Sequence, residues 1–144
     1  MKTLVLVLLL LMPSWAYAEL YKVQAARVVD GDTVRGYVEL EGGWHYEGAI
    51  RSTYDAWESS RARRSLGLRS RGWEIENAKG RKAKRALSWM LSTGVLYVDL
   101  PDSKDLKQVM GVYGRLVGPY VIVRDAGARV DIGEWMEERG HLRK

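Results

Sequence analysis

The sequence predicts a mainly β chain with helices, an α+β fold arranged as a small β-barrel with packed helices. Three observations carry that reading. Between Leu20 and Tyr54, three segments of β-strand character follow one another across short glycine-containing turns. From Glu74 to Ser92 the apolar period lengthens to that of a helix. Beyond Gly94 the β pattern returns, and a short capped helix follows it.

Residues 1–18 stand apart from this pattern. Lys2 is a short basic start, Thr3 to Met12 is almost purely aliphatic, and Pro13-Ser14-Trp15 breaks the run before Ala16-Tyr17-Ala18. That order is the form of a secretory signal peptide with a small-x-small cleavage site. The apolar run is about half of the roughly 20 residues that a spanning helix needs. Cleavage after Ala18 is therefore expected, leaving one domain over residues 19–144, secreted or periplasmic, without stable membrane insertion. The chain has no cysteine. Disulfides and thiolate metal sites are excluded, and an apolar core must hold the domain together.

Along that domain, Leu20 to Val29, Thr33 to Leu40 and Trp44 to Tyr54 read as the strands of an antiparallel meander, with Glu41-Gly42-Gly43 as one turn. Ser59 to Gly72 is polar, arginine-rich and read as a loop. In the helix, Ile75, Ala78, Lys82, Ala83, Ala86, Leu87, Met90 and Leu91 fall on or near one stripe, and Gly94 suits a C-terminal stop. Val95 to Leu100 and Leu116 to Val123 read as further strands, separated by the polar connection Pro101 to Gly111. Asp131 with Glu134 forms a capping box, and Gly140 ends the last helix. Trp44, Trp73, Trp89 and Trp135 are assigned to packing.

Charge is unevenly spread. From Arg51 to Arg85 eleven basic residues face four acidic ones. This local excess favours a polyanion or an anionic membrane surface as partner, against the plain alternative of a solvated surface. His45 and His141 are isolated, so a zinc site is not expected.

The chemistry concentrates at strand ends. Asp30-Gly31-Asp32 aims two carboxylates from one turn, which suits a hard cation such as Ca²⁺; the same Asp-Gly also signals a hairpin. Arg51, Asp55, Glu58 and the run Tyr113-Gly114-Arg115 supply the other parts. Phosphodiester hydrolysis needs just such a set: carboxylates for a divalent ion, arginines for phosphate oxygens, and a carboxylate base for water.

These pieces resemble the staphylococcal nuclease (thermonuclease) family. Val29-Asp30-Gly31-Asp32-Thr33-Val34, Ile50-Arg51 leading to Asp55-Ala56-Trp57-Glu58, Tyr113-Gly114-Arg115, and Glu134-Trp135-Met136-Glu137-Glu138-Arg139-Gly140-His141 occur in family order across about Ala26 to Leu142. The resemblance implies a five-stranded OB-type Greek-key barrel with about three helices. It also implies a monomeric Ca²⁺-dependent endonuclease on DNA and RNA that leaves 3′-phosphates and 5′-hydroxyls. By position, Asp32 and Asp55 are then direct Ca²⁺ ligands with the Ala56 carbonyl, and Asp30 acts through water. Glu58 takes the general-base position, Arg51 and Arg115 contact the scissile phosphate, and Tyr113 binds a nucleotide phosphate.

The chain departs from that pattern in three places. Trp57 stands where the family commonly has Pro, a position from which it can fix the turn or stack on a base. Val112 replaces a lysine that binds a terminal phosphate in the best-known members. Arg51 precedes Asp55 by four positions where the family typically has five, and because side chains alternate along a strand the missing residue is expected to turn one partner away from the face it has in the family. Two rival functions follow: a catalytically impaired OB domain that binds nucleic acid or another polyanion, and a partner in an envelope DNA-transfer or secretion apparatus.

Overall fold

After a first strand β1 (Glu19–Lys22), the β-meander forms as its alternation predicts, from β2 (Gln24–Asp30), β3 (Thr33–Glu39) and β4 (His45–Arg51). A computed structural model describes residues 19–59, 70–100, 110–111 and 114–144. The expected signal peptide, the Arg61–Arg69 stretch, Val112 and Tyr113 lie outside the described residues. Helix α1 (Ser70–Leu91) follows, then β5 (Val95–Leu100), β6 (Leu116–Val117), β7 (Tyr120–Val123), β8 (Arg129–Asp131) and α2 (Ile132–Glu138).

The strands form two four-stranded sheets, ordered β1-β5-β7-β8 and β2-β3-β4-β6. All pairings are antiparallel except β4 with β6. Among the described residues there are two helices, and the five long strands expected from the sequence are not seen as such. Two of those strands are each divided between the sheets, which corrects the expectation. Leu20–Val29 breaks at Val23, whose N–H bonds the Leu96 carbonyl at 2.9 Å, and a register shift follows between Gln24 and Arg27. Leu116–Val123 breaks at Gly118-Pro119, where the Gly118 N–H reaches the Arg51 carbonyl and the Pro119 carbonyl accepts from Asp99. At each break the backbone hands its hydrogen bonds from one sheet to the other, as sheet-switching corners do. Among the described residues no helix is long and apolar enough to cross a membrane.

Both sheets bury their inner faces in one core. Val34, Val38, Ile50 and Leu116 meet Val98 and Ile122 there, with Leu87 and Met90 from α1 and Ile132 and Met136 from α2. Each such side chain contributes about 1.5–3 kcal/mol on burial. Helix α1 begins at Ser70, inside the Ser59–Gly72 stretch read as a loop, and its phase differs from the expected stripe at its N-terminal half. Glu76, Asn77 and Gly80 face inward there, while Ile75 is 54% exposed. Sequence periodicity missed this because the inward residues are polar or lack a side chain. At the other end of the fold, the Asp131 carboxylate accepts from the Glu134 N–H at 2.9 Å, as the capping box predicts.

Tyr120 joins the sheets. It is fully buried on β7, and its hydroxyl accepts from the Val34 N–H at 3.2 Å and donates to the Ile50 carbonyl. Burial pushes its phenol far above the ordinary value, so it stays a donor at any working pH. Replacing it, Tyr120→Phe, is expected to cost about 1–3 kcal/mol, because a buried N–H and a buried carbonyl lose their partner. Urea unfolding measures this; a midpoint unchanged from the parent would contradict it.

Candidate active site

Gly31 and Asp32 form the turn between β2 and β3, with Asp30 paired to Thr33. The hairpin reading and the carboxylate reading of this motif are therefore compatible. Neither turn residue has positive φ, so Gly31 is not needed for the turn's backbone shape. A Cβ on Gly31 would instead lie 2.7 Å from the Ala83 Cβ and 3.0 Å from the Ala56 Cβ. Its missing side chain lets α1 and the Asp55–Glu58 segment close on the turn.

Asp32 is the most enclosed carboxylate of the group, 7% exposed. Its Oδ2 accepts from the Ala56 N–H at 3.1 Å and its Oδ1 from the Thr33 hydroxyl at 2.9 Å. Arg51 Nη2 lies 3.6 Å from that Oδ2 and 3.0 Å from Asp55 Oδ1. Arg51 and Asp55 thus face the same place, contrary to the expectation that the missing residue turns one of them away. The reason is local: β4 ends at Arg51, and the Ser52 hydroxyl bonding the Tyr54 carbonyl curls the next residues out of the strand. Alternation stops applying where the strand stops.

Asp30 is tied in by the Ser59 hydroxyl, which donates to its Oδ1. Glu58 is held from behind, since its backbone N–H donates to Glu76 Oε1 at 3.2 Å. Arg143 Nη2 meets the same oxygen at 2.9 Å. The backbone of α1 approaches so closely that a Cβ on Gly80 would sit 2.1 Å from the Glu58 carbonyl oxygen. Trp57 does not stand free: Lys79 Nζ lies 4.2 Å from its ring centre and the Arg143 guanidinium 5.8 Å. Sequence reading counted Glu76 only as a charge and assigned no role to Gly80, Ser59 or Arg143. Their roles depend on long-range contacts that carry no local pattern.

Gly114 has φ 67°, a left-handed conformation that explains the glycine between Tyr113 and Arg115. A hydrogen bond runs from the Gly111 N–H to the Arg115 carbonyl at 2.7 Å. Arg115 stands on the wall of a cavity of about 420 Å³ that Arg51, Tyr54 and Asp55 also line. Beneath them, the Tyr54 hydroxyl donates to the Gly31 carbonyl at 2.7 Å and its ring meets Tyr120 edge-on.

The electrostatics follow from this crowding. Burial raises Asp32 above the ordinary carboxylate range and Asp55 adds to the rise, while the Ala56 N–H, the Thr33 hydroxyl and Arg51 draw it back. Burial also raises Glu58, helped by Asp30, Asp32 and Asp55 and opposed by Arg143. Asp30, Asp32 and Asp55 therefore all act on Glu58, and Asp55 acts on Asp32. Among the described residues, no three carboxylate or imidazole side chains are already arranged to hold a metal ion. The donor chemistry nevertheless fits a hard cation: only oxygen ligands are present, they carry excess negative charge, and the guanidinium of Arg51 already lies between two of them.

A folded carboxylate with a raised pKa holds its proton longer than the unfolded one. Ionising Asp32 therefore costs stability progressively as pH rises from the unfolded carboxylate range, near about 4, through the raised folded value. Metal-free Asp32→Asn should accordingly melt higher than the parent at about pH 7.5, with the gain fading toward about pH 4. Ca²⁺ should raise the parent's melting temperature and not the variant's. Equal Ca²⁺ responses in thermal melts would count against Asp32 as a ligand.

Comparison with models of known families, with curated proteins and with solved structures gives no match.

Proposed function

We propose that the chain is an exported, metal-activated phosphodiesterase that cuts nucleic acid, a staphylococcal nuclease-like enzyme on an OB-type five-stranded barrel, working as a monomer. The observation that carries this reading is the meeting of Asp32, Arg51 and Asp55 within ion-pair distance, with Glu58 in their field and Arg115 on the same cavity wall. These residues come from the β2–β3 turn, the end of β4 and two further segments. A merely structural ion pair needs no such assembly.

In this reading Arg51 and Arg115 bind the phosphoryl oxygens and stabilise the charge that grows as water adds to phosphorus. Glu58 takes the proton of the attacking water at its carboxylate, and its raised pKa improves it as a base near neutral pH. The bond to the 5′ oxygen breaks, leaving a 3′-phosphate and a 5′-hydroxyl protonated from solvent. Asp32 and Asp55 would hold Ca²⁺ with the Ala56 carbonyl, with Asp30 acting through water. When bound, the ion neutralises phosphate charge as a Lewis acid. Tyr113, outside the described residues, would bind a neighbouring phosphate.

One observation favours the alternative of a domain that binds nucleic acid without cutting it. Arg51 already satisfies Asp32 and Asp55, so the pair has a partner without any ion.

Plasmid cleavage separates the two readings. Ca²⁺-stimulated cutting that is lost with chelator and abolished by Asp32→Ala is the expected result. Glu58→Gln should slow it by about 10²-fold or more. Absence of Ca²⁺-stimulated cutting across neutral and alkaline pH would overturn the enzyme reading.

A further inference from the structure

The outer face of the β2-β3-β4 sheet continues away from the carboxylate cluster, and nothing in the proposed chemistry uses it. Asp30 pairs with Thr33 and Thr33 with Arg51, so this end of the sheet is the mouth of the candidate site. Side chains two positions apart share a face, about 7 Å from one to the next. One step along β3 from Thr33 comes Arg35, directly opposite Arg27 in the register. A further step brings Tyr37, opposite Glu47, and its ring stacks on His45 at 5.4 Å. Trp44, the residue before His45, is 65% exposed. The assignment of Trp44 to packing is thereby corrected: the hairpin end holds it outside the core.

Two like charges directly opposite each other on neighbouring strands repel. Arg27 and Arg35 are both exposed, and among the described residues neither has an ion-pair partner. They line a cleft of about 350 Å³ together with Tyr37 and Glu47. Paired arginines facing a cleft are relieved by an anion, and aromatic rings beyond them offer flat faces. Glu47, the one anion among the lining residues, sits on the Tyr37 side, where it can accept from base amino groups. Exposed stacking rings combined with a basic groove are the chemistry of single-stranded nucleic acid binding.

We infer that the outer face of β2-β3-β4 is a track for single-stranded nucleic acid. The strand's phosphates lie against Arg35 and Arg27 as it leaves Arg51, and its bases stack on Tyr37 and His45. The inference deepens the proposed function and rests on it for the direction of the strand. A free anion would need only the arginine pair. A polymer alone also explains why that pair shares a face with Arg51 at one end and with aromatic rings at the other.

The test is binding of a fluorescent single strand of about 15 nucleotides to the whole protein, in chelator so that no cutting occurs. R27A/R35A should weaken binding about tenfold and reduce the slope of log affinity against log salt by about 1.4, at about 0.7 per phosphate contact. Tyr37→Ala should weaken binding about tenfold with the salt slope unchanged. K22A/R129A, which removes the same charge from the other sheet, should bind as the parent does. Parental binding by R27A/R35A overturns the track, as does an equal loss in K22A/R129A. It is also overturned if the parent binds no single strand, or if R27A/R35A loses affinity only for vesicles of anionic lipid. Plasmid cutting is read separately. A chain that never cuts but whose R27A/R35A variant loses single-strand binding keeps the track and loses the nuclease. A cutting chain with parental binding in R27A/R35A keeps the nuclease and loses the track.

Discussion

The Tyr120 hydroxyl is the contact on which the arrangement of this molecule depends. It bonds the backbone of β3 at Val34 and of β4 at Ile50, while the rest of the residue belongs to β7 in the other sheet. The two strands it ties carry Asp32 and Arg51 at their ends. Tyr54 extends the support to Gly31, so the turn rests on two buried aromatic rings set edge to plane. Core packing and site geometry are thus one problem, solved by the same few atoms.

Above that base the carboxylates are crowded at a cost. Asp32 is buried, Glu58 is raised by three acidic neighbours, and the partly exposed Arg51–Asp55 pair returns little, about 0–1 kcal/mol. Folding tolerates the crowding because other contacts hold it in place: Glu76 on the Glu58 N–H, Ser59 on Asp30, and Gly80 and Gly31 admitting α1 at close range. Locally unfavourable charge held in place by distant structure is a recurring property of functional sites. Glu76 buried on the face of a helix otherwise packed with apolar residues is part of the same pattern.

Local rules made much of this legible in advance. The β2-β3-β4 meander, the span of α1 and the Asp131 cap each follow from alternation, helical period or a capping pair, which depend on near neighbours alone. Asp30, Asp32, Asp55 and Glu58 were recognisable as a set because their residue types share one chemistry. The failures have physical reasons as well. One of Arg51 and Asp55 was expected to turn away because the residue missing between them was judged by strand alternation, which does not hold past the end of β4, where the chain curls. The division of Leu20–Val29 and Leu116–Val123 between sheets turns on hydrogen bonds to partners far along the chain. Tyr120 reads from sequence as one more apolar strand residue, and only tertiary structure reveals its hydroxyl as the tie.

The central claim is that these carboxylates are gathered to hold a cation beside a phosphate clamp. The most direct measurement is terbium luminescence sensitised by the protein's aromatic rings and displaced by Ca²⁺, followed across pH. The account predicts saturable displacement with a dissociation constant on the order of 10⁻⁴–10⁻³ M, tightening as pH rises through the raised values of Asp32 and Glu58. It also predicts loss of the signal in Asp32→Asn. Luminescence that Ca²⁺ does not displace, or that survives Asp32→Asn unchanged, would contradict it.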